Sequence, residues 1–521
     1  MNKETYDLAL KKLLSVLQNR SRSSYIAAAI ALITVQQVYS FLRVPRSLRG
    51  FPVVPILSIT RAYLDNLSPV DRFKRIVFPV IENENGLYVS KIPFGWRLYI
   101  ADPVIAKQML LKTDNFPKDH SIADKLGKDS FMFKFFGLDN IALSNGNMWK
   151  AQRKTMNPAF YRTPPLKVME SVVLALFSAI EAEGDKFPVT KRLHDFTLDV
   201  LGLAIFDFNF NALQGDPEGW TKTYNLVIKT MLDPLFNIFP SLDFIMRHIY
   251  PTRIRGIEAV TKLNAKFDEL ARKKRIEIQK GVYANVPDSQ KDVLTLMLES
   301  EKKGESMKTD EELRHNIAIL FVAGHDTTAN TLSFCLYNLA KNKDIQQKLR
   351  EEVISILGDD PHSETPTLEE LKKMKYMNMV IKENLRLNGP VDFLFSRKTV
   401  KEINLSGTII PKDTAVTVDL NGIHRNPKYW ANPDEFIPER FLENGEQESH
   451  EGLTWLPFSN GSRQCLGMNF SLAEQRLLLA MIVKKYEIDV PKDSKHYDHI
   501  IYESTANIAP NSLELNFTRR H

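Results

Sequence analysis

A cysteine near the C-terminus lies in a segment suited to hold it as a metal ligand. Residues 457–467 read Pro-Phe-Ser-Asn-Gly-Ser-Arg-Gln-Cys-Leu-Gly, which places Arg463 two positions before Cys465. A thiolate needs nearby positive charge, peptide N–H donors or a metal to stay ionised. The helix-like run that begins at Met468 offers such donors at its start. Thiolate is also one of the axial ligands that proteins offer to haem iron, so Cys465 is a candidate metal ligand. The alternative is a small, buried, apolar cysteine.

A second set of reactive side chains interrupts the longest predicted helix. A capping box at Thr309 begins a helical run that ends near Asn342. Its middle, residues 323–328, reads Ala-Gly-His-Asp-Thr-Thr. Glycine inside a helix costs about 1 kcal/mol relative to alanine, and buried Asp and Thr are costly unless they are hydrogen-bonded. We therefore predict a kinked, hydrated site in a buried central helix, or a kinked helix whose polar groups are merely satisfied. His325 is predicted to be a satisfied core or solvent-facing residue.

Two further pairs have helical spacing. Trp149 and Arg153 are four residues apart, and Glu383 and Arg386 are three apart, so each pair shares a helix face. Arg440 follows downstream in the segment Pro-Glu-Arg-Phe. Either pair alone is a weak signal that any charged helix could produce.

Together, these segments resemble the cytochrome P-450 family. The cysteine segment matches the pattern Phe-x-x-Gly-x-Arg-x-Cys-x-Gly at every fixed position, and residues 323–328 are similar to Ala-Gly-x-Asp/Glu-Thr-Thr. Trp-x-x-x-Arg and Glu-x-x-Arg occur in the same order, so the motifs extend over residues 149–467. The resemblance, closest to fungal microsomal members, implies a mainly α fold with a smaller β region (α+β). One haem b would lie between the long central helix and the cysteine loop.

The resemblance also implies roles for individual residues. Cys465 would ligate the iron, and Asp326 and Thr327 would handle protons for bound dioxygen. The residues implied to bind the cofactor are Trp149, Arg153, Arg397, Phe458, Arg463, Cys465 and Gly467. A buried structural network behind the loop would comprise Glu383, Arg386 and Arg440. The candidate substrate-pocket residues are Phe131, Phe133, Phe136, Val322, Ala323, Phe393 and Phe395.

The aromatic residues among these pocket candidates lie in two different segments. Residues 116–140 lack periodicity and are predicted to form an irregular loop, whose phenylalanines are equally consistent with satellite core or with a pocket wall. Phe393 and Phe395 precede Arg397 in a segment that resembles the family's substrate-facing strand.

Composition excludes several other classes of protein. The chain has 521 residues, a net charge of +6 and two cysteines. Two cysteines exclude a disulfide framework and a zinc site made of several thiolates. The mild charge and the lack of a basic stripe with interleaved aromatics argue against nucleic acid as a partner.

The N-terminal region predicts a membrane anchor. Residues 25–42 are uncharged and, at about 1.5 Å per residue, just long enough for a bilayer core. The alternative is a short amphipathic helix at the membrane surface or on the globule. The predicted organisation is a polar segment (1–24), a transmembrane anchor (25–42), a proline-containing connector (43–58) and one catalytic domain (59–521). Residues 227–249 are also apolar, and would either roof a pocket or touch the membrane.

The implied function is membrane-bound monooxygenation of a large apolar substrate, such as a steroid, fatty acid or terpenoid. No Gly-rich dinucleotide turn is present, so electrons would come from an NADPH-cytochrome P-450 reductase, with cytochrome b5 as an optional second donor. The implied location is the endoplasmic reticulum membrane, with a single span and a cytosolic catalytic domain. The alternatives are a haem-thiolate isomerase or dehydratase, or a non-enzymatic haem sensor.

Overall fold

The computed structural model describes residues 35–36, 39, 42–65, 67–92, 95–127, 130–233, 235–236, 242–360, 365–503 and 508–520. The chain forms two compact units, Met1–Gly50 and Phe51–His521. In the first unit, a short 3-10 helix covers Arg46–Leu48. Most of the anchor predicted at 25–42 lies outside the described residues, so the anchor stays a prediction. None of the helices in the described ranges has the length and apolar character needed to cross a bilayer.

The second unit is built mainly of helices. In chain order they are α1 (Ile56–Leu64), α2 (Pro69–Arg72), α3 (Phe78–Ile81), α4 (Pro103–Leu111), α5 (Ser121–Leu126), α6 (Phe131–Phe136), α7 (Gly146–Tyr161), α8 (Leu166–Glu183), α9 (Val189–Leu201), α10 (Trp220–Met231), α11 (Leu242–Met246), α12 (Pro251–Gln279), α13 (Val293–Lys303), α14 (Asp310–Lys341), α15 (Lys343–Leu357), α16 (Leu368–Lys373), α17 (Lys375–Leu387), α18 (Leu420–His424) and α19 (Met468–Lys485). Helix α1 begins within the predicted connector (43–58), whose boundaries stay a prediction.

The central helix α14 joins two hydrophobic cores. Its first half, up to Phe321, packs with α6, α7, α10, α12 and α13. Its second half, from Ala329, packs with α8, α9, α15, α17 and α19. The polar residues of the 323–328 segment thus lie where one core ends and the other begins.

Gly324 is required in α14 by packing. The helix runs unbroken through residues 323–328, and a Cβ atom on Gly324 would lie 2.5 Å from Cδ1 of Leu201. Glycine therefore lets the end of α9 approach α14 closely. The predicted kink does not interrupt the helix.

A small sheet lies beside the helices. Strands β1 (Leu87–Ile92), β2 (Gly95–Ile100), β3 (Arg397–Lys398) and β6 (Ala415–Val418) form a sheet of order β1-β2-β6-β3. β1 and β2 pair as an antiparallel hairpin, β2 and β6 run parallel, and β3 is antiparallel to β6. Two separate pairs complete the β region: β4 (Ile403–Leu405) with β5 (Thr408–Ile410), and β7 (Tyr486–Asp489) with β8 (Asn516–Arg519). The predicted mainly α fold with a smaller β region is confirmed.

The predicted irregular loop at 116–140 is wrong, because α5 and α6 lie within it. Helix α6 has six residues, nearly all apolar, so it is too short to show helical periodicity. Phe131 is part of the core, with Cζ of Arg253 4.6 Å from its ring centre. Phe133 is buried and Phe136 is half-buried. Their predicted place in a pocket wall stays a prediction.

Candidate haem-thiolate site

The loop that carries Cys465 is held by its own backbone. The Cys465 N–H donates to the carbonyl of Phe458, 2.9 Å away, and the Phe458 ring packs against the core. Gly461 has φ +73°, and a Cβ atom there would lie 2.9 Å from the Leu110 carbonyl oxygen. Only glycine combines this left-handed conformation with such a close approach. The loop therefore presents the cysteine from a fixed position.

Cys465 needs a partner to ionise. Its side chain is exposed in the polypeptide. Burial raises the pKa of its thiol, against the lowering effects of the Gly467 N–H and of Arg153. A metal would supply the missing stabilisation of the thiolate. By contrast, Cys335 lies in the core, and burial raises the pKa of its thiol to about 12, so it is chemically inert.

Three cations beside the loop, Lys118, Arg397 and Arg463, have no carboxylate partner among the residues that the structure describes. Arg397 is 2% exposed, and Nη1 of both Arg397 and Arg463 is buried without a hydrogen bond. Burial lowers the pKa of Arg397 to about 10. Burial is also the largest cause that lowers the pKa of Arg463 to about 10, and the positive charges of Arg397 and Arg153 add to it. Burial, then Arg397 and Arg463, hold the pKa of Lys118 well below its usual value. Buried charges need a counter-charge, so this cluster fits an anionic group such as the haem propionates.

Helix α7 supports the loop through the two residues of its predicted motif. The Arg463 guanidinium carbon lies 3.9 Å from the ring centre of Trp149. Nη1 of Arg153 donates to the Gln464 carbonyl at 2.9 Å. Trp149 therefore orients the Arg463 guanidinium, and Arg153 holds the residue before Cys465. Their own contacts with haem stay predictions.

The predicted network behind the loop is present. Glu383 receives a bidentate pair from Arg386, with Nε–Oε2 2.7 Å and Nη2–Oε1 2.8 Å, and a third contact from Arg440 at 3.3 Å. The Ile437 N–H also donates to Glu383, at 2.9 Å. Because Glu383 and Arg386 are fully buried, this cluster ties α17 to the segment that leads into the loop.

One face of α14 is uncovered. Val322 is half-buried, Ala323 exposed and Thr327 half-buried, in a helix otherwise buried over most of its length. Ala323 and Thr327 are four positions apart and share a face, and Val322 adjoins Ala323 at the edge of that face. The Thr328 hydroxyl lies 3.0 Å from that of Ser471 on α19, which holds this part of α14 near the helix that follows Cys465. The open face is therefore available to a bound group.

Phe393 and Phe395 lie near the cation cluster. They are 40% and 56% exposed. Nζ of Lys118 lies 5.0 Å from the Phe395 ring centre, and the ring centres of Phe393 and Tyr99 are 5.2 Å apart. Their substrate contacts stay predictions.

Asp326 belongs to a polar cluster that three helices assemble. Its carboxylate contacts His194 of α9 at 3.1 Å, His325 at 3.0 Å and the Tyr224 hydroxyl of α10. Burial opposes its ionisation, but His325 and His194 outweigh burial and hold its pKa well below the usual value. His325 is satisfied within the core, as predicted, since its Nδ1 bonds the Phe321 carbonyl. Asp326 is therefore an ionised acid at neutral pH.

The Thr327 hydroxyl donates to the Ala323 carbonyl, one turn earlier, at 2.9 Å. Its oxygen lone pairs remain available on the open face of α14. The predicted proton-handling roles of Asp326 and Thr327 stay predictions.

Sequence motifs did not reveal three residues that the structure brings to this region. They are Lys118, His194 and Tyr224.

The arrangement fits haem b. Cys465, whose thiolate a metal would stabilise, suits the iron. The buried arginine nitrogens that have no partner among the described residues suit the propionates. The open face of α14 suits one face of the macrocycle. At Gly467, a Cβ atom would meet nothing closer than 3.9 Å, so the protein's own packing does not demand glycine there. Room beside Cys465 is what a bound macrocycle needs.

Comparison with known proteins agrees with this geometry. Residues 96–511 match the family described as Cytochrome P450. The chain is 29% identical to human Cytochrome P450 3A5 over 428 residues, which cover 79% of this chain and 80% of that protein. It is also 29% identical to the pig Taurochenodeoxycholic 6 alpha-hydroxylase over 358 residues, which cover 67% of this chain and 69% of that protein.

A plant relative and a solved structure extend the comparison. Identity to the Arabidopsis thaliana chloroplastic Carotene epsilon-monooxygenase is 27% over 410 residues, covering 76% of this chain and 73% of the relative. The crystal structure of the cytochrome P450DA heme domain has the same fold, with a TM-score of 0.71, 22% identity, and coverage of 90% of this chain and 97% of that one. This chain belongs to the cytochrome P450 family, whose members are haem-thiolate monooxygenases.

Proposed function

We propose that this protein hydroxylates a large apolar substrate at a membrane, with electrons from an NADPH-dependent reductase. The observation that carries the proposal is the open face of α14, where Thr327 lies one turn after the exposed, apolar Ala323. A proton-handling hydroxyl beside apolar side chains suits oxidation of an unactivated C–H bond.

Haem ligated by a thiolate supplies the activation of dioxygen, because the thiolate donates electron density that favours O–O cleavage. Cys465 would be that ligand. Lys118, Arg397 and Arg463 would neutralise the propionates. Thr327 would hold a proton donor at the open face of α14. The Asp326 carboxylate, held by the neighbouring imidazoles, would relay protons from His194, whose side chain is 30% exposed.

The substrate class is proposed to be a steroid, fatty acid or terpenoid. The exposed rings of Phe393 and Phe395 offer large apolar contacts without a fixed charge of their own. The names of two relatives support this class, because one is a bile-acid hydroxylase and the other a carotene monooxygenase.

Electrons are proposed to enter on the side of α7, with cytochrome b5 as an optional second donor. Lys150 and Lys154 are exposed on the helix whose Arg153 binds the Gln464 carbonyl next to Cys465. Cationic side chains there would attract an acidic electron donor and speed its association.

Membrane attachment is proposed to combine the N-terminal anchor with an apolar patch in the 227–249 segment, at the endoplasmic reticulum with a cytosolic catalytic domain. Leu235, Phe244, Ile245 and Ile249 are 38–73% exposed. Several large apolar side chains exposed in one short segment indicate a membrane or partner contact.

The test uses purified holoprotein, a lipid and steroid panel, and NADPH with a reductase. The expected result is a substrate-induced spin-state shift, followed by oxygen consumption coupled to hydroxylated product. Product formation without NADPH or oxygen would instead indicate an isomerase or dehydratase. Ligand-induced shifts without any product, across a panel that includes the tightest binders, would indicate a haem sensor.

A further inference from the structure

The His194–His325–Asp326 cluster has the coordinating atoms of a small-ion site. One ligand atom from each residue lies within 4.8 Å of the other two. The atoms on the inner side are His194 Nδ1 and His325 Nε2, at 3.1 Å and 3.0 Å from the same carboxylate oxygen of Asp326.

The outer atom of every residue in the cluster is already engaged. His194 Nε2 bonds Oδ1 of Asn330 at 2.9 Å, and His325 Nδ1 bonds the carbonyl of Phe321. The second carboxylate oxygen of Asp326 accepts from the Tyr224 hydroxyl. Imidazole and carboxylate ligands of metal sites are oriented by such outer partners.

These outer contacts constrain the hydrogens on the rings. With an oxygen as the outer partner of each ring, the outer nitrogen of each histidine carries its hydrogen, and the inner nitrogen presents a lone pair beside the Asp326 carboxylate. A divalent ion between the three residues would bind both lone pairs and the carboxylate at once.

We propose that His194, His325 and Asp326 form a binding site for a divalent transition-metal ion such as Zn²⁺. Two imidazoles and one carboxylate are a ligand set that suits zinc, copper or nickel. Zn–N bonds of about 2.0–2.1 Å place tetrahedral ligand atoms roughly 3.4 Å apart, so the inner atoms need only a small adjustment. The partly exposed His194 ring is the route by which an ion enters.

Occupancy would join α9 to α14 and engage the Asp326 carboxylate. The second effect rests on the proposed function: a metal-bound Asp326 could not relay protons, so metal would slow turnover. Ion binding itself does not depend on that function and is measured separately.

The experiment titrates chelator-treated holoprotein with ZnCl₂ by calorimetry, with equilibrium dialysis and metal analysis as a second measurement. We expect one tightly bound equivalent per chain that His194→Ala removes. Tyr224→Phe deletes an outer partner and is expected to weaken binding roughly 10- to 100-fold. His248→Ala alters an exposed histidine outside the cluster and should leave the tight equivalent unchanged.

The variants must keep the native haem site, shown by the reduced carbonyl spectrum; His194→Asn replaces His194→Ala if the latter loses haem. Absence of a tight equivalent in the wild type, or its persistence in a haem-replete His194 variant, would overturn the site. If zinc binds but the wild-type enzyme has no turnover, the site stands and the proposed function fails.

Discussion

Arg463 lies against the indole of Trp149, 3.9 Å from the ring centre, while its Nη1 atom is buried without a partner. The stacked ring fixes the guanidinium in place, and Nη2 is used on the Ser144 carbonyl at 2.8 Å. Within the described part of the chain the remaining nitrogen has no partner, so it is available to a bound group. The same is true of Nη1 of Arg397. These atoms indicate that haem completes the charge balance of the fold.

Lys118→Met is predicted to weaken haem retention. The variant removes one cation of the cluster while keeping similar side-chain length, and a hydrogen bond to a charged group contributes about 1.5–3 kcal/mol. Haem transfer to apomyoglobin should therefore become roughly 10- to 150-fold faster. Lys112→Met, at an exposed lysine nearby, should leave the rate unchanged. Equal rates for wild type and Lys118→Met would remove Lys118 from the cofactor site.

Cys465→Ala is predicted to abolish the thiolate-type Soret band of the reduced carbonyl complex. The substitution deletes the sulfur that only a metal stabilises as thiolate. Cys335→Ala is the matched control, because Cys335 is buried in the core with a raised pKa, and it should keep the band. An unchanged band in Cys465→Ala would disprove the ligand assignment.

Thr327→Ala is predicted to keep that band but divert electrons to hydrogen peroxide. It removes the hydroxyl that would hold a proton donor on the open face of α14, so proton delivery at this face would lose its control. Peroxide formed per NADPH should rise and product should fall. Thr331→Ala, one turn further along, deletes a hydroxyl that bonds the Thr327 carbonyl at 2.8 Å within the helix; normal coupling is expected there. If Thr327→Ala also forms the normal amount of product per NADPH, Thr327 does not have the proposed proton-handling role.

The sequence predicted best those features that depend on residues close together in the chain. The loop around Cys465 and the Glu383–Arg386 pair are both local patterns, and the structure contains each of them. Lys118 was missed because its role depends on Arg397 and Arg463, which are distant from it in the chain. These three residues are related by positive charges that lie close together in the fold, and no single sequence motif contains all three.

The cluster at Asp326 shows the same limit. The motif identified the acid, but its partners His194 and Tyr224 come from α9 and α10, and only packing brings these helices together. The sequence shows that Gly324 is costly in a helix, and this cost alone predicts a kink. It does not show that Leu201 lies opposite Gly324 in the fold. Helix α6 was interpreted as a loop because six nearly uniform apolar residues carry no periodic signal.

Glu383→Gln is predicted to destabilise the fold strongly. It leaves Arg386 and Arg440 buried without their shared carboxylate, and breaking such a pair costs about 3–5 kcal/mol. In urea unfolding followed by haem release, the midpoint should move to lower urea, and the free energy of unfolding should fall by that amount. Glu439→Gln is the control, because Glu439 pairs with Lys348 at the surface and exposed pairs contribute about 0–1 kcal/mol. Equal midpoints for the two variants would contradict a buried, structural network.

Removal of residues 1–44 is predicted to release most, but not all, of the protein from membranes. The apolar patch would retain a reversible fraction, because Phe244 and Ile245 are 73% and 56% exposed and burying apolar surface contributes roughly 25 cal/mol per Å². Flotation with liposomes should therefore show weak binding of the truncated protein that Phe244→Ser with Ile245→Ser abolishes. Leu174→Ser changes a 50% exposed leucine on α8 and should not alter flotation. Full retention of the truncated protein after the double substitution would place the membrane contact elsewhere, and complete release by truncation alone would remove the patch from attachment.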